Sequence, residues 1–130
     1  MIGYASVGTN DIARAHEFYD ALLDTIGAKR IMEMPDDRGF TLYGSSFNQP
    51  SLAVTRPYDG NPATVGNGNM VAIPLKERAQ VDAFHAKALA LGGTCEGAPG
   101  LRSPEGPQAF YGAYFRDLDG NKFCAFRVGG

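Results

Sequence analysis

The sequence predicts an α+β fold built from two repeated βαβββ modules. Three observations predict it: an internal repeat, the same order of elements after each copy, and an Asp-Gly hairpin near the end. Tyr4-Ala5-Ser6-Val7, leading to Phe18, Leu23 and Gly27, recurs at a constant offset of 66 as Met70-Val71-Ala72-Ile73, leading to Phe84, Leu89 and Gly93. Each copy reads as a short strand, an amphipathic helix and a glycine that ends the helix.

The first helix is expected to start near Asn10-Asp11, two good N-cap residues. Ile12, Ala15, Tyr19, Leu22 and Ile26 then recur at spacings of three or four, which places them on one helix face. Gly27 suits the left-handed residue past a helix end. In the second helix Val81, Phe84, Ala88 and Leu91 repeat at the same kind of spacing, closed by Gly92-Gly93. After each helix the pattern changes to strand-like runs between turn residues. These are Ala28 to Met34, Phe40 to Gly44 and Ser51 to Arg56, then Thr94 to Gly97, Pro107 to Arg116 and Lys122 to Val128. Asp117-Leu118-Asp119-Gly120-Asn121 makes the last hairpin, with Asp-Gly as its tight-turn signal. The segment 57–69 is polar, Gly/Pro-rich and without periodicity, so it reads as a linker. The expected organisation is one domain over 1–130, with module one at 1–56 and module two at 70–130. Neither module is large enough to be stable alone, so the two are expected to share one sheet or barrel.

Composition narrows the function. With 130 residues, 44% apolar and 20% charged, the chain is sized for one compact domain. Twelve Lys and Arg stand against fourteen Asp and Glu, a net charge of −2. No basic footprint for nucleic acid is present. No apolar run reaches the roughly 18 residues of a membrane span. Met1 to Ala5 lack the basic start and apolar run of a signal peptide, so a cytoplasmic protein is expected. Two cysteines, Cys95 and Cys124, are too few for a disulfide framework or a cysteine-only zinc site; both read as small buried apolar residues.

The chemistry-bearing residues are few. There is no P-loop and no Gly-x-Ser-x-Gly elbow, and Gly66-Asn67-Gly68 lacks the context of a dinucleotide site. His16 and His85 lie inside the expected helices with no second ligand at metal spacing, so they read as helix-flank residues. Arg102 follows Gly97-Ala98-Pro99-Gly100-Leu101, read as a rigid loop. An arginine held there could clamp a carboxylate or phosphate. Phe110, Tyr111, Tyr114, Phe115, Phe123 and Phe126 crowd the last hairpin. Most must be core, while Tyr111 or Tyr114 could line a concave face with its polar tip.

The repeat and its motifs resemble the vicinal oxygen chelate superfamily, which includes glyoxalase I, bleomycin- and fosfomycin-resistance proteins and extradiol dioxygenases. The resemblance covers essentially the whole chain. It is carried by the strand-and-cap phrase Tyr4 to Asp11 followed by Phe18-Tyr19, by Gly68 to Ile73 with Val81 to Phe84, and by Arg116-Asp117-Leu118-Asp119-Gly120-Asn121-Lys122. Leu118 stands where the family usually has Pro. The resemblance implies a glyoxalase-like cup formed by curled sheets. In metal-dependent members the cup holds a divalent ion, bound by His, Glu or Gln from the first and last strand of each module. Those positions fall on Tyr4, Ala53, Met70 and Cys124. None is a His or a carboxylate, and a phenol, a thioether and a thiol suit hard or borderline ions poorly.

The resemblance therefore leads to a metal-free, bleomycin-resistance-like protein that binds a small organic ligand in the cup. Tyr4, Met70 and Cys124 are expected at its floor, with Arg102 and Tyr111 or Tyr114 supplying polar contacts. No catalytic residue is assigned and no cofactor is expected. Were chemistry to occur, Cys124 as nucleophile or Tyr4 as acid are the candidates, neither with a visible base. The alternative is a divalent-metal-dependent lyase or dioxygenase of the glyoxalase type. A third reading is a structural or regulatory partner with an empty core. A homodimer is expected, with the cup formed within one chain or across a module-swapped pair; no nucleic acid or membrane partner is expected.

Overall fold

A computed structural model describes all residues, Met1–Gly130. The chain divides into two compact units, Met1–Gly66 and Asn67–Gly130. Each unit holds one four-stranded sheet with one helix connecting its first two strands.

Unit one runs β1 (Tyr4–Gly8), α1 (Ile12–Asp24), β2 (Lys29–Glu33), β3 (Thr41–Gly44) and β4 (Ser51–Thr55). The sheet order is β1-β4-β3-β2, with β1 parallel to β4 and the other pairs antiparallel. Helix α1 begins where expected: the Asp11 carboxylate accepts from the Arg14 amide at 3.0 Å, satisfying one of the free amides of the first turn. Past its end, Gly27 takes the left-handed conformation at φ 80°. Ala15, Phe18, Tyr19, Leu22 and Leu23 are buried. The apolar stripe is thus wider than the sequence spacing suggested, and Ile12 and Ile26 lie at its half-buried margin. Tyr43 Oη donates to Asp20 at 2.7 Å, and Arg30 grips both oxygens of the same carboxylate, tying α1 to β3 and β2. His16 Nε2 lies 2.8 Å from Thr41 Oγ1, so this histidine joins α1 to β3.

The first part of the expected linker packs back on unit one. Asn10 clamps Ala63 twice, accepting from its amide at 2.6 Å and donating to its carbonyl at 3.2 Å. The returning segment, with Thr9, Arg38 and Arg56, walls a surface depression of about 350 Å³.

Unit two repeats the plan: β5 (Val71–Pro74), α2 (Arg78–Ala90), β6 (Thr94–Leu101), β7 (Phe110–Arg116) and β8 (Lys122–Val128). The order β5-β8-β7-β6, with β5 parallel to β8, matches unit one strand for strand. Register carries the repeat to single residues: Ser6 pairs with Ala53 in one sheet, and Ala72 pairs with Cys124 in the other. A capping box starts α2, where Glu77 and Gln80 satisfy each other's backbone. Val81, Phe84, His85 and Ala88 are buried. Phe115 is fully buried at the centre, stacked on Phe123 at 5.4 Å between centroids and tilted against Phe84 at 5.9 Å. Gly93 follows α2 because a side chain there would sit 2.8 Å from the carbonyl oxygens of both Ala88 and Arg116. In the last hairpin the buried Asp117 carboxylate accepts from the Asp119 and Asn121 amides and from Asn121 Nδ2, at 2.8–3.0 Å.

Five expectations are corrected. The modules do not share one sheet; each forms its own four-stranded sheet, because every strand finds its partners within its own module. Gly97 to Leu101 is not a loop; β6 runs on to Leu101, because its backbone continues to pair with β7 through two register shifts. Cys95 is exposed, because it lies on an outermost strand with a neighbour on one side only. Strand β7 starts at Phe110 rather than Pro107, and β2 is shorter than the run from Ala28 to Met34.

Candidate functional site

A strand buries one face against its helix and turns alternate side chains to the other. In β7 that alternation separates two groups. Tyr111, Ala113 and Phe115 face α2: Phe115 packs on Phe84, and Tyr111 Oη donates to Asp82 at 2.6 Å. Phe110, Gly112, Tyr114 and Arg116 face away from the helix, as do their register partners on β8, Val128, Phe126, Cys124 and Lys122. The structure therefore brings Tyr114, Cys124 and Arg102 together and sets Tyr111 on the opposite face.

Arg102 lies just past the end of β6, and its amide donates to the Phe110 carbonyl at 2.8 Å. Its guanidinium runs back along the sheet, donates from Nη2 to the Ala98 carbonyl at 2.6 Å, and rests 5.4 Å from the centre of the Tyr114 ring. Lys122 Nζ stands 5.7 Å from the same ring. Tyr114 pairs in register with Cys124, so the phenol and the thiol are cross-strand neighbours on this face. Burial pushes the Cys124 thiol up, against the opposing pull of Tyr114, Arg102 and Lys122, so it is held as a thiol rather than a thiolate. Burial likewise raises the Tyr114 phenol, with Cys124 adding to it. Beside this pair, Phe110 and Phe126 stack at 5.1 Å with their planes 10° apart. The face offers a flat aromatic platform, a buried soft sulfur and two cations. A buried, protonated thiol is not poised for nucleophilic attack.

Of the remaining predicted positions, Tyr4 and Ala53 lie in unit one and Met70 in unit two. Ala53 is fully buried and offers no donor; Tyr4 is 55% exposed and meets Phe40 edge-on at 5.9 Å. Register places Tyr4 opposite Ser51, two residues from the Ser6–Ala53 pair. Met70 is 45% exposed and precedes β5. A divalent ion needs several converging nitrogen, oxygen or thiolate donors. The four positions supply a phenol, a methyl group, a thioether and a protonated thiol. No group of three or more His, Cys, Asp or Glu comes together that could hold a metal. The donor set does not fit such an ion, and the chemistry of the face is that of its own side chains.

His85, expected on the helix flank, is instead in the core. It is buried on α2, edge-on to Phe115 at 6.5 Å between ring centres, bonded to the Tyr114 carbonyl, with Nε2 unpartnered. Its place at i+4 from Val81 and i+1 from Phe84 was the available signal.

Two successive βαβββ units, each with a parallel β1–β4-type pair and a helix-free face, define the glyoxalase type of architecture. The profile of the Glyoxalase/Bleomycin resistance protein/Dioxygenase superfamily matches residues 1–125, and the chain belongs to that superfamily. It is similar to the crystal structure of a glyoxalase/bleomycin resistance protein from Albidiferax ferrireducens, with 39% identity, 98% of each chain covered and a TM-score of 0.82. A family enzyme from Burkholderia phytofirmans shares the fold at 18% identity, 97% coverage of each chain and a TM-score of 0.72. An antibiotic binding protein from a Streptomyces species shares it at 21% identity, covering 99% of this chain and 96% of that one, with a TM-score of 0.67. No curated protein matches the sequence significantly. No helix is long and apolar enough to cross a membrane.

Proposed function

We propose that the protein binds a small organic molecule, without a metal ion, on the helix-free face of its second sheet. The observation that carries this reading is the makeup of that face. Where the superfamily resemblance puts a metal ligand, Cys124 is instead a buried thiol, cross-strand neighbour of Tyr114 and beside the Phe110–Phe126 stack. Ligand sites of this kind are mostly apolar with a few fixed polar groups, and the face has that composition. The antibiotic-binding relative in the same fold is consistent with sequestration rather than turnover. The protein is proposed to act in the cytoplasm as a homodimer.

The test has two readouts. Protein grown with Mn, Fe, Co, Ni, Cu and Zn is assayed for bound metal by mass spectrometry, and a neutral aromatic fragment panel is screened by amide chemical shifts. The expected result is no stoichiometric metal, with fragment-induced shifts centred on Tyr114, Cys124 and Phe126 that survive a chelator. About one ion per chain, or shifts lost on chelation, would overturn the reading in favour of a metal-dependent lyase or dioxygenase. Sedimentation equilibrium checks the dimer, and a monomer at micromolar concentration would refute it.

A further inference from the structure

The second sheet's helix-free face holds a guanidinium that is built in and left without a counter-charge. Arg30, Arg38, Arg78 and Arg116 each pair with a carboxylate. Arg102 makes no ion pair; exposed on the surface, its side chain is held by one carbonyl and one aromatic ring. Two glycines make its seat. A Cβ at Gly97 would lie 3.2 Å from Arg102 Nη2 and 2.9 Å from Tyr114 Cδ2; a Cβ at Gly100 would lie 3.2 Å from Arg102 Nη1. Gly100 pairs in register with Gly112, over which the Phe110 ring lies, 2.8 Å from where a Cβ would stand, so the aromatic stack begins one strand away from the arginine's seat. The neighbouring carboxylate, Glu96, is held by Arg116. The guanidinium thus keeps free N–H groups beside a ring stack, and Lys122 adds a second positive charge 5.7 Å from the centre of the Tyr114 ring.

We infer that the ligand of this face is a flat aromatic acid, its anionic group held by Arg102 and its ring system laid on Phe110 and Phe126. The inference rests on the proposed binding function and specifies its ligand class. Distance supports it: successive same-face residues on a strand are roughly 6.8 Å apart, so Tyr114 and Phe126, one such step apart across the β7–β8 pairing, match the length of a fused-ring acid. Chemistry supports it too. An arginine presents a planar fork of donors that matches a carboxylate, and pre-fixing that fork lowers the ordering cost of binding.

The experiment compares 2-naphthoate with its neutral isostere 2-naphthamide by calorimetry, with amide shifts locating the site. On the native protein the acid is expected to bind at least tenfold tighter than the amide, at Tyr114 and Cys124. Arg102→Gln should bring the acid down to the affinity of the amide and leave the amide unchanged. Gly100→Ala, which crowds Arg102 alone, should reduce the acid-to-amide ratio several-fold. Equal affinities on the native protein, or a ratio that survives Arg102→Gln, would overturn the inference. Failure with retained amide binding at this face removes the anion preference only. Absence of binding by either compound, together with a silent fragment panel, removes the binding function as well.

Discussion

Adjacent residues on β7 provide the sharpest test of the two-face reading. Phe115 is fully buried under α2, against the rings of Phe84, His85 and Phe123. Removing such a ring costs about 3–5 kcal/mol, and its three ring neighbours under a packed helix place Phe115→Ala at about 4 kcal/mol. With a urea slope near ~1.5 kcal/mol/M, the unfolding midpoint should fall by about 2.5 M. Tyr114 next to it is half-buried on the other face, so Tyr114→Ala should cost only about 1–2 kcal/mol. Ligand binding should show the reverse order. Folded Phe115→Ala keeps its 2-naphthoate affinity within about twofold, while Tyr114→Ala loses at least about tenfold, or ~1.4 kcal/mol. Urea titrations with paired calorimetry measure both. A midpoint shift below about 1 M for Phe115→Ala, or equal losses of affinity in the two variants, would refute the assignment of faces.

Three further outcomes are expected. Asp117→Ala should lower stability by about 2–3 kcal/mol, because three donors in the last hairpin lose a charged acceptor; a change below ~1 kcal/mol in urea melts would contradict this. Burial holds His16 and His85 below their ordinary value of 6.5, so the unfolded chain binds protons first. Stability should therefore fall as pH drops from about 7 through 6.5 toward 5; at still lower pH, protonation of Asp20, held down chiefly by Arg30, should add to the loss. Calorimetric melts across that range check the sign, and a flat profile between pH 7 and 5 would refute it. A disulfide reagent should label Cys95 at once and Cys124 only on unfolding; two fast thiols in native buffer would contradict the burial of Cys124.

Much of the fold was legible because it rests on local rules. The offset of 66 survives as matched strand pairs, and Asp11, Gly27 and the Asp-Gly hairpin stand where their backbone preferences put them. What was illegible is pairing that overrides composition. Gly97-Ala98-Pro99-Gly100 reads as loop from its residues, and only the neighbouring β7 makes it strand. The arginine seat followed from that pairing and left no trace in spacing. The separation of Tyr111 from Tyr114 was readable, since an odd step along a strand changes face. The exposure of Cys95 depends on which strand ends the sheet, a topological fact absent from local pattern.

The register breaks in β6 bear on how the chain stays dispersed. A sheet's last strand offers free amides and carbonyls to any extended segment that drifts past. In β6 that template is interrupted by two shifts of register and by Pro99, which has no amide to give. The corresponding outermost strand of the first sheet, β2, carries its own break between Arg30 and Met32. Neither strand presents an unbroken ladder long enough to recruit a foreign strand. The segment whose glycines seat Arg102, with Pro99 between them, thus also acts as a gatekeeper against fibre-like stacking of partly folded chains.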